Sequence, residues 1–156
     1  LEPPQLTSMV LSPAGDLVAV TLSRIIPGTA DSESWVEVRR TTDSEVVRRW
    51  RGAQSMEQIQ WAPTGKRLSY VTRGGEENAA TLWVSDLDRG TLVSPLERVQ
   101  DWGGYAWSPI GDAVVFWIET EEEKDRPADV PCPASRHVQI TSIWVMVFRG
   151  LRLGSR

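Results

Sequence analysis

Very few residues in this chain have the types and spacing that enzymatic chemistry requires. His137 is the single histidine and Cys132 the single cysteine, so we find neither a base–nucleophile pair nor a cysteine-based metal site. The G-x-S-x-G pattern, which exposes a nucleophilic serine on a tight turn, is absent from the sequence. The sequence therefore predicts no catalytic, cofactor-binding or metal-ligating residue, and we expect the chain on its own not to be an enzyme.

Acidic residues gather in one long segment, predicted as an insert over about 119–137, which contains Glu121–Glu123 and several prolines. Carboxylates that are adjacent in sequence point in different directions, so they make a poor metal site. An exposed, flexible loop is the favoured interpretation. The alternative is that the insert recognises a cationic group such as a peptide amino terminus. The pair Glu76–Glu77 resembles this insert only in its acidic composition.

The chain contains eight tryptophans, which suggests either packing or stacking on a ligand. Four of them recur at strand positions of a repeat described below, and we expect these to pack neighbouring sheets together. Trp102, beside Gly103–Gly104, is least constrained by the repeat and is the best candidate for an exposed aromatic, although a core position is favoured for it too. No helix start follows Gly74–Gly75 or Gly103–Gly104, so neither pair predicts a phosphate loop. The four recurring residues are Trp35, Trp61, Trp83 and Trp144.

A short phrase occurs three times: a small residue, proline, any residue, glycine and a charge. The copies are Ser12–Asp16, Ala62–Lys66 and Ser108–Asp112. Their prolines are 50 and 46 residues apart (63 minus 13, 109 minus 63). Proline at the second and glycine at the fourth position favour a type I β-turn, and apolar runs on both sides predict hairpins. A hairpin repeat of roughly 40 to 50 residues is typical of a β-propeller blade.

A tryptophan-bearing strand and then a fourth strand follow each hairpin. Trp35, Trp83 and Trp144 come 22, 20 and 35 residues after the prolines (35 minus 13, 83 minus 63, 144 minus 109). The fourth strand of the last unit is reduced to Leu151–Leu153. We expect an all-β, partial β-propeller of about three four-stranded antiparallel blades in one domain. The predicted domain covers residues 1–156, with blade units at about 8–50, 56–96 and 102–154.

Composition is that of an ordinary globular protein with a net charge of −4, which argues against a nucleic-acid partner. Arg39–Arg40 and Arg48–Arg51 are basic clusters that we interpret as solvated strand edges. No apolar run approaches the roughly 18 residues of a membrane span. Leu1–Pro4 does not resemble a secretory signal. A cytoplasmic location and a periplasmic or secreted one both remain open.

The third copy of the phrase carries a resemblance. Tyr105–Phe116 reads Y-A-W-S-P-I-G-D-A-V-V-F and looks like the W-S-P-D-G-K-x-hydrophobic-x-F repeat of TolB-like propellers. That repeat also builds the N-terminal propeller of prolyl oligopeptidase family serine peptidases, including the acylaminoacyl-peptidase and dipeptidyl-peptidase branches. The resemblance covers residues 8 to about 126. The family's aspartate between proline and glycine is Ala14, Thr64 or Ile110 here, so we expect its side-chain turn bond to be lost.

The resemblance implies a non-catalytic propeller portion of a prolyl oligopeptidase-like serine peptidase, gating substrate access to a hydrolase domain absent from this chain. The family's catalytic residues lie in that hydrolase domain, so none is transferred to this sequence. The implied partners are the hydrolase domain or the remaining blades, and the parent's peptide substrate. One alternative is a TolB-like protein-binding module; a weaker one binds carbohydrate or lipid through exposed tryptophans. Three blades leave uncovered faces, so we expect the isolated chain to self-associate.

Overall fold

The chain forms β-strands joined by short turns. In this computed structural model, the structure describes residues 3–52, 54–75, 77–120 and 139–147. Strands and turns account for the described secondary structure, and these segments contain no helix. The strands are β1 (Gln5–Leu11), β2 (Leu17–Ile25), β3 (Ser32–Arg40), β4 (Val46–Gly52), β5 (Ser55–Trp61), β6 (Arg67–Gly74), β7 (Ala79–Asp86), β8 (Thr91–Val99), β9 (Trp102–Trp107), β10 (Ala113–Thr120) and β11 (Gln139–Val147).

Consecutive strands pair antiparallel in three separate sheets. The first sheet has the order β1-β2-β3-β4, the second β5-β6-β7-β8, and the described part of the third β9-β10-β11. The all-β prediction and the four-stranded antiparallel unit are confirmed. Strand β10 continues through Glu119 and Thr120, where the sequence had placed the start of the acidic insert. The predicted fourth strand at Leu151–Leu153 lies outside the described residues.

Each copy of the repeated phrase forms the predicted turn. The glycine N–H donates to the carbonyl three residues earlier in all three copies, with N···O distances of 2.8–2.9 Å. The φ angles of Gly15, Gly65 and Gly111 are 76°, 72° and 71°, a left-handed conformation that a side chain would strain. This turn chemistry fixes where each hairpin reverses, and therefore its register.

A serine–aspartate pair stabilises two of the turns in a way the sequence did not predict. The Ser12 hydroxyl donates to Asp16 Oδ1 at 2.9 Å and accepts the Leu17 N–H at 3.1 Å. Ser108 and Asp112 repeat the first bond at 2.7 Å. The aspartate after the glycine thus takes part in a side-chain turn bond in these two copies, although the family's aspartate before the glycine is missing.

Each sheet has two faces, and neighbouring sheets pack face to face. We call the face toward the preceding sheet the leading face, and the face toward the following sheet the trailing face. The first interface joins the trailing face of the first sheet to the leading face of the second; the next interface joins the second and third sheets in the same way. The first core comprises Ala19, Val36, Val38, Met56, Ile59, Trp61, Leu68 and Tyr70. The other comprises Val71, Ala80, Leu82, Val84, Trp102, Tyr105, Val114 and Phe116.

Candidate functional site

Polar groups on aromatic side chains tie the second sheet to the third. The Tyr105 hydroxyl donates to the Gln58 carbonyl at 2.6 Å and lies 2.8 Å from Ser69 Oγ. The indole of Trp107 donates to the same Ser69 oxygen at 2.8 Å, and that of Trp102 donates to Gln58 Oε1 at 2.9 Å. Burial raises the pKa of Tyr105. Its phenol therefore stays protonated at neutral pH and serves as a structural donor.

Backbone geometry places Gln58 at the centre of that network. Gln58 lies where the β5–β6 register shifts, and its φ is 53°. Such a bulge re-aims a side chain and frees backbone groups from the ladder. Here the glutamine offers its amide oxygen and its carbonyl oxygen to two aromatic donors of the third sheet. A non-glycine residue in this conformation is strained, and the two bonds offset that strain.

The first interface is more apolar. The indole of Trp61 donates to the Val10 carbonyl across the interface at 2.9 Å. The rings of Trp50 and Tyr70 lie 6.1 Å apart in a tilted arrangement. Burial raises the pKa of Tyr70 to about 12, so this phenol also stays neutral. Both interfaces therefore use tryptophan and tyrosine for packing. Of the four repeated tryptophans, Trp61 lies in the first core and Trp83 packs against it, so the packing prediction is confirmed for these two.

Strand register corrects the predicted equivalence of the tryptophans. Trp83 pairs with Tyr70 and Trp144 with Phe116, and both partners lie seven residues after their hairpin proline (70 minus 63, 116 minus 109). Trp35 instead pairs with Leu22, nine residues after its proline (22 minus 13). The prediction that Trp35 occupies the matching position is therefore wrong by two residues. The matching residue in the first sheet, paired with Val20, is Glu37.

Glu37 is a buried carboxylate on the leading face of the first sheet, only 2 % exposed. It accepts the Trp35 indole N–H at 3.0 Å, the Arg39 Nε at 2.8 Å, and lies 2.6 Å from Arg49 Nη2. Burial raises its pKa, but the bonds from Arg39, Trp35 and Arg49 outweigh burial and leave the pKa below its usual value. An ionised carboxylate with both oxygens occupied stabilises the sheet and makes a poor catalytic acid.

The arginine clusters are more structured than the sequence predicted. Arg39 and Arg49 turn onto Glu37, and Arg40 lies 2.8 Å from Asp43. Two further guanidinium groups, those of Arg24 and Arg51, lie 5.9 and 5.8 Å from the centre of the Trp35 ring. Arg39 and Arg49 are nevertheless 36 and 42 % exposed, and Arg49 lies on the edge strand β4, so their ion pairs with Glu37 add to the interpretation as solvated strand edges. Together these groups make the leading face of the first sheet a cationic surface.

Trp102 is 4 % exposed, so its candidacy as an exposed aromatic is wrong and the favoured core position is confirmed. Its ring stacks on Phe116 with centroids 5.7 Å apart and an interplanar angle of 7°. The neighbouring Gly103 and Gly104 leave room for a different ring, that of Trp117. A Cβ added at Gly103 or Gly104 would lie 2.4–2.5 Å from the indole of Trp117. Glycine within a strand is typical of such a close approach. The Gly103–Gly104 pair was therefore the signal in the sequence from which this close packing could have been predicted.

An open groove of about 760 Å³ lies between the β2–β3 loop and the end of β4. Its wall includes Asp31, Ser32, Glu33 and Arg51. Glu33 is paired with Arg24, and the described lining offers no base next to a nucleophile. The groove can accommodate polar groups, but its residues carry no recognisable catalytic arrangement.

The described residues contain no cluster of three or more histidine, cysteine or acidic side chains suited to a metal ion. None of the described segments forms a helix with the length and apolar character needed to cross a membrane. Cys132, His137, Glu76 and Glu121–Glu123 lie outside the described residues. Glu77 is exposed and accepts a hydrogen bond from the Gln100 amide. The cation-binding alternative for the acidic insert therefore stays a prediction.

Comparisons with solved structures identify the arrangement of sheets. An acylaminoacyl peptidase from Pyrococcus horikoshii matches with a TM-score of 0.66 and 17 % identity over 94 % of this chain and 23 % of its own. The β-propeller domain of the trilobed protease from Pyrococcus furiosus gives 0.61 and 16 % over 73 % and 33 %. Hydrazine synthase from Kuenenia stuttgartiensis gives 0.50 and 16 % over 69 % and 35 %. No family model and no curated protein matches the chain.

The fold is that of a partial β-propeller, which confirms the predicted fold class. The resemblance to propellers of acylaminoacyl-peptidase type is confirmed at the level of the fold. The chain spans about a quarter to a third of the length of these structures. Their activities belong to those proteins, and one of the three is not a peptidase.

Proposed function

We propose that this chain is the non-catalytic propeller portion of a prolyl oligopeptidase-like serine peptidase, with residues 1–156 forming one partial propeller domain. The observation that carries the proposal is the structural likeness to an acylaminoacyl peptidase over 94 % of the chain. The absence of a G-x-S-x-G pattern agrees with it. Catalysis would then reside in a hydrolase domain that the 156 residues do not include.

The proposed role is control of access. In a propeller the sheets surround a central channel, and a rigid ring over an active site admits short chains while excluding large ones and bulk water. The network of Gln58, Ser69 and Tyr105 supports this role because it locks neighbouring sheets through directional bonds. A scaffold held in this way resists widening. The partners would be the hydrolase domain or remaining blades, together with the parent's peptide substrate.

A TolB-like protein-binding module is the second candidate. It is favoured by the likeness to a non-peptidase, hydrazine synthase, since one fold serves unrelated functions. A module that binds carbohydrate or lipid through exposed tryptophans has less support. Trp35, Trp61 and Trp102 are each less than a tenth exposed, so these rings are not free to stack on a ligand.

The encoding DNA beyond Arg156 tests the proposal. A downstream G-x-S-x-G followed by aspartate and histidine in a hydrolase domain is the expected result. Further propeller repeats followed by a stop codon would contradict it and favour the binding module. If the hydrolase is present, Tyr105→Phe in the whole protein should leave turnover of a dipeptide amide intact. The same substitution should increase cleavage of long peptides relative to the wild type, because it removes a hydrogen bond that holds neighbouring sheets together.

A further inference from the structure

Strand β4 forms the outer edge of the first sheet. The first strands of neighbouring sheets contact one another, since the Trp61 indole bonds to the Val10 carbonyl at 2.9 Å. The Gln60 amide bonds to the Tyr105 carbonyl at the same distance. In a propeller these strands surround the central channel, so β4, at the other end of its sheet, lies at the rim. Neighbouring sheets pack on faces, so the remaining blades of a parent protein do not cover this edge.

The backbone of β4 is regular enough to receive another strand. Its residues from Arg48 to Gly52 pair in unbroken register with β3, and this stretch contains no proline. Among the described strands, none lies on the outer side of β4. An edge strand of this kind presents a row of unpaired N–H and C=O groups, which is a template for strand addition.

The corresponding strand of the second sheet, β8, has a different edge. Its pairing with β7 shifts register twice, and Pro95 lies in one of the two irregular stretches. In the other stretch, Arg98 has a φ of 53°. Proline and bulges are devices that protect an edge strand from further pairing. The backbone of β8 is protected in this way, whereas the paired stretch of β4 is not.

Charge determines which strand could pair with β4. The strand carries three arginines and no acidic residue, in a chain whose net charge is −4. Arg49 bonds to Glu37, yet its side chain is 42 % exposed. Arg48 and Arg51 are also exposed, and no described carboxylate forms an ion pair with either. Like charges directly opposite one another destabilise a sheet, so the edge disfavours a second copy of itself and favours an acidic strand.

The side chains of β4 also specify a pattern. Trp50 packs against the first core on the trailing face, so its neighbours in sequence lie on the leading face. An added antiparallel strand would meet, in the order of its own sequence, Arg51, Trp50, Arg49 and Arg48. Residues directly opposite in a sheet contact one another. The complementary sequence is therefore acidic, apolar, acidic, acidic.

We propose that β4 binds an acidic, extended segment of a partner protein, which adds to the first sheet as a further antiparallel strand. Backbone groups supply the affinity in this mode of recognition, and side chains supply the selectivity. The arginines select for negative charge. The site lies on the outer rim and goes beyond the gating role, so either can fail without the other.

Fluorescence anisotropy of a labelled peptide tests the proposal. The peptide T-E-V-E-E-V-T, blocked at both ends, is titrated with the 156-residue chain, and we expect saturable binding. The same peptide with lysine in place of each glutamate should bind at least about tenfold more weakly. In an added strand, alternate N–H groups face β4. N-methylation of that set should abolish binding, while N-methylation of the other set should change Kd less than about threefold.

Substitutions locate the site on β4. The double variant Arg48→Glu/Arg51→Glu should weaken binding at least about tenfold. The matched control is Lys66→Glu/Arg98→Glu, which makes the same change of charge at exposed positions on the β5–β6 hairpin and on β8. It should change Kd less than about threefold. Far-ultraviolet circular dichroism verifies that each variant keeps its sheets.

Several outcomes would overturn the proposal. They are the absence of saturable binding to the wild type, equal affinities of the two double variants, and equal losses from the two N-methylated sets. Single-stranded DNA that binds as tightly as the peptide would also overturn it, because the edge would then be a site for any polyanion. If Arg48→Glu/Arg51→Glu fails to fold, the lysine peptide and the N-methylated peptides decide the question on the wild type.

Discussion

The two interfaces between sheets use equivalent positions but are held together differently. The first is mainly apolar, with the bond from Trp61 to the Val10 carbonyl crossing it. The second adds a network in which Gln58 and Ser69 bond to three aromatic side chains of the third sheet. Apolar burial is non-directional, whereas hydrogen bonds fix orientation. The second interface should therefore be the more precisely oriented of the two.

The largest predicted effect is at the first interface. Trp61→Ala removes a buried indole and its bond to Val10, which should lower the free energy of unfolding by about 3–5 kcal/mol. Urea unfolding at one fixed protein concentration measures it. Leu92→Ala, at a position 40 % exposed on β8, is the control and should cost less than about 1 kcal/mol. Equal losses in the two variants would show that Trp61 does not hold the sheets together.

Glu37 gives the next largest effect. Glu37→Gln keeps the shape but removes the charge that Arg39 and Arg49 share, and it should cost about 1.5–3 kcal/mol at pH 7. Urea unfolding of the variant beside the wild type provides the measurement. Glu33→Gln, which disturbs the more exposed pair with Arg24, should cost less than about 1 kcal/mol. A larger loss for Glu33→Gln would contradict the account of the buried carboxylate.

The same carboxylate predicts a pH dependence. The pKa of Glu37 is lower in the folded chain, so its contribution to stability is complete above the unfolded value of about 4.3. That contribution is lost as the pH falls through the folded pKa. The wild type should therefore lose more stability than Glu37→Gln between about pH 5 and pH 2. If the unfolding free energies of the wild type and Glu37→Gln changed in parallel with pH, Glu37 would not be the source of this pH dependence.

The two buried tyrosines sharpen the comparison of the interfaces. Tyr105→Phe deletes a donor to the Gln58 carbonyl and should cost about 1–3 kcal/mol. Tyr70→Phe, at the apolar interface, should cost less because its hydroxyl takes no part in that network. Thermal unfolding of both variants at equal concentration provides the measurement. If Tyr70→Phe were the more damaging, the distinction between the two interfaces would be wrong.

The smallest effects are expected in the hairpins. Ser12→Ala removes the bonds to Asp16 and Leu17 and should cost about 1 kcal/mol. Lys66→Ala removes an exposed ion pair with Asp88 and should cost less than about 0.5 kcal/mol. Urea unfolding resolves the difference between them. A Lys66→Ala loss equal to that of Ser12→Ala would show that the serine–aspartate pair adds nothing to the turn.

The repeated hairpins were predictable because proline and glycine act locally. Turn position and strand order follow from them, and the repeat also predicts the packing of Trp61 and Trp83, although not the position of Trp35. The placement of Glu37 was not predictable. Trp35 lies two residues further from its proline than Trp83 does, and the sequence does not say whether the loop or the strand holds the extra residues. A shift of two residues leaves a side chain on the same face of a strand, so the apolar pattern of the sequence does not reveal the shift.

Contacts between residues far apart in the sequence explain the other differences between the predictions and the structure. The exposure of Trp102 depends on Phe116, which reaches it only through sheet pairing. The binding of Arg39 and Arg49 to Glu37 likewise requires adjacent strands to align. Sequence patterns report which face a residue occupies, but they do not report which partner meets it there. The candidate site was therefore less predictable than the fold.

Turnover by the chain itself tests most directly the claim that this propeller portion carries no chemistry. The purified 156-residue protein is incubated with a small activated ester and a peptide amide, with and without a serine-directed inhibitor. We predict no turnover above the buffer rate and no covalent labelling by the inhibitor. Hydrolysis that the inhibitor abolishes, with a labelled serine in this chain, would contradict the account.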